Sequence, residues 1–173
     1  MHWSYKDINR IISDSEKNQL ILKIIKNIEK YRLQLDIKIH PADISSVTPY
    51  FKNLELKNKK HIKLIAKGKV ERIINNYGMI IMDMISSKVM STAMETDIPI
   101  VTYLKSDSIL NPKTFKAFKS RVMTFNNEKE LSLILKKYSQ GQILPKSNKV
   151  FNSKYFTHKQ NESIQKVRKI IFN

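Results

Sequence analysis

The sequence predicts an α/β fold with a parallel sheet of about five strands flanked by helices. Short apolar, β-branched runs recur along the chain, and segments with helical periodicity separate them. The clearest unit runs from Met79 to Leu104, where two such runs enclose a turn with two serines and a helical segment. Strands that alternate with helices pair in parallel through βαβ units, so we predict a Rossmann-like sheet.

Five segments have the character of buried strands. In the first, apolar residues alternate from Leu33 to Ile39 and stop before Pro41, because proline cannot continue a central strand. Gly68 ends the second, and the other three are runs rich in Ile, Val and Met. We expect strands near residues 33–39, 61–66, 79–84, 98–104 and 121–125.

Helical periodicity fills the intervals between these strands. Isoleucines recur at spacings of three and four from Ile21 to Ile28, and Asn126 or Asn127 can cap a helix that Gly141 ends. Gly78 suits the position after another helix. We expect helices over 16–31, 42–54, 69–77, 88–97, 113–120 and 128–138, and an amphipathic one around 164–171.

Length and residue types limit the class of protein. The 173 residues fit a single α/β domain, with a helical segment over 1–32, a Rossmann-like core over 33–140 and a tail with a helix over 141–173. The chain has no cysteine, and its four histidines lack metal-binding spacing, so we expect no metal and no cofactor. No apolar run approaches the roughly 20 residues that span a bilayer, and the start does not resemble a signal peptide. We expect a cytoplasmic protein.

The chain is strongly basic, with 32 Lys and Arg against 15 Asp and Glu and a net charge of +17. Such an excess attracts nucleic acid, an anionic membrane face or a phosphorylated ligand. Only five of the basic residues are arginine, whose planar guanidinium binds phosphates and bases through paired hydrogen bonds better than lysine does. We therefore interpret most of the charge as a solvated surface.

Polar residues follow two of the predicted strands. Lys38 and His40 close the first, while Ser86, Ser87 and Lys88 follow the third. The carboxyl ends of parallel strands form the ligand-binding edge of such sheets, and helix N-termini there favour anions. These five residues predict a phosphate-binding crevice.

Each of these residues also has a purely structural interpretation. One serine can act as a helix N-cap, and a histidine before proline can bond its own turn. Asp83 could orient Lys88 or a ligand hydroxyl, or it could be a satisfied turn carboxylate. Glycine-rich dinucleotide and phosphate loops and the nucleophile elbow of hydrolases are all missing from the sequence.

The pattern His40-Pro41, Asp83-x-x-Ser86-Ser87 and Pro99 at the start of a strand resembles the C-terminal half of GT-B-fold glycosyltransferases. It is most similar to bacterial capsule and surface-polysaccharide enzymes, including the polysialyltransferase-like and CDP-glycerol glycerophosphotransferase-like groups. The resemblance covers roughly residues 35–138. It implies that His40 contacts the phosphate or nucleotide of the donor and that Ser86 and Ser87 bind phosphate oxygens.

The chain departs from that family pattern. Lys88 replaces a threonine, and Thr92 stands before Ala93 where the family has a glutamate that serves the sugar or ribose of the donor. The acceptor-binding domain that precedes this half is not matched, and the first strand of the half is missing or reduced to residues 2–5. We expect a fragment that lacks transfer activity alone.

Two functions of different classes follow. The first is a donor-binding domain of a surface or capsular polysaccharide transferase that takes CMP-, CDP- or UDP-linked sugars, needs a separate acceptor domain and contacts the inner membrane face peripherally. The second is a non-enzymatic basic module for nucleic acid or anionic lipid. Nucleic acid is the less favoured partner, because the chain lacks aromatic stacking and helix-turn-helix signatures.

Overall fold

The computed structural model describes residues 14–39, 44–57, 60–83, 87–105 and 112–143. Helices and strands alternate through these residues, and a short 3-10 turn, Ile74–Asn76, extends the third helix. In chain order the elements are α1 (Asp14–Lys30), β1 (Leu35–Lys38), α2 (Ile44–Lys57), β2 (Ile62–Ile65), α3 (Val70–Ile73), β3 (Ile80–Met82), α4 (Ser87–Met94), β4 (Ile100–Tyr103), α5 (Pro112–Lys119), β5 (Val122–Phe125) and α6 (Glu128–Ser139).

All described strand pairs are parallel, and they form two sheets. One contains β1 and β2, with Leu35 opposite Ile62. The other has the order β3-β4-β5, with Ile80 opposite Ile100 and Ile100 opposite Val122. The predicted α/β class and the five predicted strands are confirmed, and the strands are divided between a pair and a triplet where we expected a single sheet.

Several predicted boundaries need correction. The helix expected over 69–77 is a single α-turn followed by the 3-10 turn, and the helix expected to reach Asp97 ends at Met94. Gly78 follows a helix end but has no left-handed backbone; a Cβ there would overlap the Tyr138 hydroxyl, so a close approach explains the glycine. The tail and helix expected over 141–173 lie outside the described residues from 144 onward.

Helices cover both faces of the three-stranded sheet. On one face Met90, Ala93 and Met94 of α4 pack with Ile100 and with residues of α5 and β5. On the other face α1 and α6 pack on Val101 and Phe125, which belong to β4 and β5. The three residues Ile100, Val101 and Thr102 are completely buried, so β4 is the most enclosed strand of the described chain.

Helix α1 contacts the cores of both sheets. Leu20, Ile24 and Ile28 belong to the cluster of the three-stranded sheet, whereas Ile21 and Ile25 belong to the cluster formed by β1, β2 and α2. Residues three and four apart share one side of a helix, so Leu20, Ile24 and Ile28 form one apolar stripe. Ile21 and Ile25, one position further along, widen this stripe toward the two-stranded sheet. The predicted isoleucine periodicity is therefore confirmed, and one helix holds the two sheets.

The outer edge of β2 is closed by a side chain. Leu35 N–H donates to His61 and Ile39 N–H donates to Ile65, so Leu64 N–H points away from β1. The Glu55 carboxylate of α2 accepts this N–H at 2.9 Å. Glu55 thus satisfies an edge donor that would otherwise pair with another strand.

A hydrogen bond links the amino-terminal ends of the two sheets. The Tyr77 hydroxyl, just before β3, donates to the Asp36 carboxylate of β1 at 2.8 Å. Burial, the hydrogen bond to Asp36 and the charge of Asp36 raise the pKa of Tyr77 to about 12. Because the amino ends meet here, the carboxyl ends of β1 and β3 lie toward the opposite edge.

Arg121 is the largest buried polar side chain of the described residues, with only 1% of its surface exposed. The two N–H groups of its Nη2 are shared among the carbonyls of Thr96 at 2.6 Å, Ile98 at 3.1 Å and Ala93 at 3.3 Å. Its buried Nε and Nη1 have no partner among the described residues. Burial lowers the pKa of Arg121, while the charge of Asp97 raises it. The side chain therefore closes the C-terminus of α4 and fixes the turn into β4.

None of the described helices is both long and apolar enough to span a bilayer.

We predict that Arg121→Met lowers the free energy of unfolding by about 1–3 kcal/mol, because the carbonyls of Ala93, Thr96 and Ile98 lose a charged donor. Urea denaturation followed by circular dichroism measures this destabilisation. The matched control is Lys116→Met, which changes an exposed cation of α5 and should cost under about 0.5 kcal/mol. Equal effects of the two substitutions would contradict the role of Arg121.

We predict that Tyr77→Phe lowers the free energy of unfolding by about 1 kcal/mol at pH 8, a value that allows for solvent screening at this half-buried site. A raised pKa means that folding favours the protonated phenol. The stabilisation by the Tyr77 hydroxyl should therefore be complete below about pH 10 and disappear as the pH rises through about 12.

Denaturation of the wild type and Tyr77→Phe at pH 8, 10 and 11 tests this prediction. The difference between the two proteins should shrink over that range. A difference that stays constant or grows with pH would show that the Tyr77 hydroxyl does not stabilise the fold as a protonated donor.

Candidate functional site

Three of the predicted site residues, Lys38, Ser87 and Lys88, belong to the described chain and follow or end strands of the two sheets. Lys38 is the last residue of β1, in the two-stranded sheet, and its Nζ donates to the Ile39 carbonyl at 2.9 Å. This bond folds the ammonium back over the end of its own strand. Lys38 is half-buried, so its charge lies at the rim of the sheet.

Ser87 and Lys88 are the first two residues of α4, which follows β3. The prediction of a helix N-terminus beside the Ser-Ser pair is confirmed for the backbone. His40 and Ser86 lie outside the described residues, so the expected convergence of His40, Ser86 and Ser87 stays a prediction. The structure therefore places Lys38 and the start of α4 each at the carboxyl end of a strand, in different sheets.

Two ion pairs fasten the start of α1 to this same edge. Lys17 Nζ lies 3.7 Å from the Asp83 carboxylate, directly after β3. Lys105 Nζ lies 3.1 Å from the Glu16 carboxylate, just beyond β4. Asp83 therefore has a partner on α1, which favours its interpretation as a satisfied turn carboxylate and leaves its predicted contact with Lys88 as an expectation.

A cavity of about 200 Å³ opens between the first turns of α1 and the ends of β4 and β5. Its walls combine two aromatic rings, Tyr103 and Phe125, which meet edge to face at 5.6 Å between centroids, with charged and amide side chains. The polar part of the wall consists of Glu16, Gln19, Lys23, Asn126, Asn127 and Glu128. This mixture of amides, both charge signs and apolar rings suits a polar organic group better than a bare anion.

The N-terminus of α6 beside this cavity is occupied by its own residues. Asn127 is the N-cap, and its side chain accepts the Glu130 N–H at 3.0 Å. Glu130 in turn accepts the Asn126 N–H at 2.9 Å. The predicted cap is confirmed at Asn127, and two acidic residues in the first turn oppose an additional anion.

The opposite edge of the three-stranded sheet has a different charge. A wide depression of about 640 Å³ lies beside the residues that precede β3 and β4. Glu71, Glu95 and Asp97 line it, and the described lining contains no basic residue. The carboxylates of this depression would repel a phosphate group.

The described residues hold no cluster of His, Asp and Glu with the spacing of a metal site.

Sequence reasoning missed the ion pairs of α1, the cavity beside Tyr103 and the buried Arg121. Lys17 and Lys105 resemble every other lysine in a chain with so many of them. Arg121 had a signal, because an arginine at a strand start in a lysine-rich sequence suggests a fork of hydrogen bonds. The cavity has no local signal, since its walls come from three separate parts of the chain.

No protein-family model, curated protein or solved structure matches this chain.

Proposed function

We propose that this chain binds the phosphates of a nucleotide-activated sugar, as the donor-binding part of a surface or capsular polysaccharide glycosyltransferase. One observation carries the proposal: α4 begins at Ser87 shortly after β3, at the carboxyl edge of a parallel sheet. Helix N–H groups and serine hydroxyls there suit phosphate oxygens. The resemblance around His40, Ser86 and Ser87 supports the same chemistry.

The charge distribution supports an anionic ligand at this edge. Lys38 lies at the carboxyl end of β1, and Lys17 and Lys105 lie near the carboxyl edge in ion pairs with Asp83 and Glu16, whereas the charged side chains that line the depression at the amino edge are all carboxylates. Binding would be electrostatic and would hold a monophosphate or diphosphate leaving group. In this proposal the chain acts at the cytoplasmic face of the membrane and transfers sugar only together with an acceptor domain.

We predict that the full chain binds CDP, CMP or UDP and that Ser86→Ala/Ser87→Ala weakens this binding by about tenfold or more, the worth of charge-assisted hydrogen bonds. Isothermal titration calorimetry measures both affinities. Cytidine and uridine serve as ligands without phosphate and should bind weakly to both proteins.

Ser139→Ala is the matched protein control, since this exposed hydroxyl donates to the Lys136 carbonyl at the far end of α6. It should bind nucleotides like the wild type. Equal affinity of the double variant and the wild type, or no binding by either, would overturn the proposed function.

A second candidate function has its own observation. Exposed lysines gather around β2 and the end of α2, where the only acidic residue between positions 52 and 69 is Glu55. This lysine group consists of Lys52, Lys57, Lys60, Lys63, Lys67 and Lys69. Such a surface suits the backbone of a nucleic acid or an anionic lipid face.

If the lysine group binds nucleic acid, Lys57→Gln/Lys60→Gln/Lys63→Gln should weaken binding of a labelled single-stranded oligonucleotide. The salt slope should fall by about one for each phosphate that a lysine no longer neutralises. Fluorescence anisotropy at several salt concentrations measures this. The control Lys129→Gln/Lys136→Gln/Lys137→Gln removes the same charge from α6. If both triple variants weaken binding equally, the oligonucleotide is attracted by the net charge of the protein and not by the lysine group.

A further inference from the structure

Two hydroxyl groups meet between α1 and α6. Tyr31 directly follows the last residue of α1, and its hydroxyl oxygen lies 2.7 Å from the hydroxyl oxygen of Ser132 on α6. Either hydroxyl can donate this hydrogen bond, and the other then keeps a proton that the bond does not use. No acceptor for that second proton is found among the described residues. The pair therefore offers one donor to a ligand.

Two ammonium groups accompany this hydroxyl pair. Lys30 Nζ lies 5.2 Å from the centroid of the Tyr31 ring. Lys136 is four residues after Ser132, so both lie on the same side of α6. The two lysines are exposed, and neither forms an ion pair with a carboxylate of the described chain. The hydroxyl pair therefore lies beside two positive charges that have no acidic partner there.

The neighbouring carboxylates do not cancel these charges. Glu128 is on the same side of α6, one turn earlier, and its carboxylate lies 3.3 Å from Lys26 Nζ of α1. Glu29 precedes Lys30 in the chain but forms no ion pair with it or with Lys136. Glu128 and Lys26 balance each other, so the excess of positive charge between the helices remains.

The phenol of Tyr31 responds to this excess. The hydrogen bond with Ser132 lowers the pKa of Tyr31, burial raises it, and Lys30 and Lys136 lower it further, so that the pKa lies below its ordinary value. Positive charge favours the deprotonated form of a nearby acid. The charges that favour a phenolate oxygen at this position also favour the oxygen of a bound anion.

A phosphomonoester matches these groups in charge and in the number of its oxygens. It carries a charge of about −1.5 to −2 at pH 7 on three terminal oxygens. The two ammonium groups compensate that charge, and together with the unused hydroxyl proton they supply three donors. A carboxylate has a single charge and two oxygens, so it would leave one ammonium group uncompensated.

This cluster is remote from the proposed nucleotide site. Lys17 pairs with Asp83 at the carboxyl edge, near the start of α1, whereas Tyr31 follows the other end of that helix. At about 1.5 Å per residue, the helix separates Tyr31 from Lys17 by about 20 Å. The two places therefore bind separate phosphate groups.

We propose that Lys30, Tyr31, Ser132 and Lys136 form a second phosphate site, which binds the phosphomonoester group of a ligand. Two oxygens of that group accept from the ammonium groups, and the third accepts from the hydroxyl pair. These contacts recognise the phosphate group alone, so a soluble phosphate and the headgroup of phosphatidic acid both have the required chemistry. The site does not depend on the proposed nucleotide site.

The first test titrates the full chain with sodium phosphate at pH 8 and follows the NMR signals of the Tyr31 ring and the Ser132 amide. Constant ionic strength removes general screening as a cause of the shifts. Phosphate should produce saturable shifts. Sodium acetate should bind at least about tenfold more weakly, because it offers one charge and two acceptors.

Matched double variants locate the binding. Lys30→Gln/Lys136→Gln should weaken phosphate binding by about tenfold or more, because charge-assisted hydrogen bonds are lost. The control Lys116→Gln/Lys137→Gln removes the same charge from exposed lysines of α5 and α6 and should bind phosphate like the wild type. Lys137 is one position after Lys136, about 100° further around the helix.

Two further measurements separate the hydroxyl pair and the nucleotide site. Ser132→Ala should weaken phosphate binding by about three- to tenfold, because the third donor is lost. Ser86→Ala/Ser87→Ala should leave the shifts of the Tyr31 ring unchanged. A failure of the nucleotide site and a failure of this second site are therefore distinguishable.

Sedimentation with phosphatidylcholine vesicles, with and without phosphatidic acid, distinguishes the source of the phosphate. Vesicle binding that needs phosphatidic acid and is weakened more by Lys30→Gln/Lys136→Gln than by the control supports a lipid headgroup, and saturable shifts with sodium phosphate alone support a soluble ligand. Equal effects of the two double variants on both probes, no binding of either probe, or acetate binding as tight as phosphate would overturn the proposal.

Discussion

The packing of α1 on two sheets is the constraint on which the described structure depends. Its isoleucines belong to both apolar clusters, and its first turns are fixed to the ends of β3 and β4 by ion pairs. Exposed ion pairs contribute little to stability, so the apolar contacts hold the helix and the charges set its position. Two strands alone are marginally stable, so β1 and β2 depend on the helices α1 and α2 that pack on them.

The carboxyl edge follows from this arrangement. Helix α1 brings Lys17 to Asp83 after β3, while Lys38 ends β1 and Lys105 follows β4. The depression at the amino edge is lined by carboxylates. Beneath it the buried Arg121 holds the turn between α4 and β4 through hydrogen bonds to three main-chain carbonyls. Lysines and carboxylates therefore meet at the carboxyl edge, whereas only carboxylates contribute charge to the depression at the amino edge.

The strands could be predicted from sequence because each is a short apolar run with a clear stop, as at Pro41 and Gly68. Gly68 has a φ of +96°, which explains why the run must end there. The division into two sheets could not be predicted, since apolar runs indicate strands but carry no information about which neighbour each strand pairs with. The α3 boundary was wrong because the short helix continues as a 3-10 turn.

Of the candidate site, the sequence predicted the strand ends and the helix start, because these depend on local patterns. It could not supply the partner of Asp83, which lies 66 positions away from Lys17 in the chain, nor the cavity beside Tyr103. Such contacts arise only when separate elements pack, and one lysine is indistinguishable from another in a sequence so rich in them.

The Glu55 carboxylate occupies a hydrogen-bonding position at the outer edge of β2. For copies of this chain to pair through that strand, the charge-assisted bond from the Leu64 amide to Glu55 would first have to break. Glu55 thus opposes edge-to-edge pairing of copies into fibres, because the exposed edge strand of a sheet is where such pairing begins.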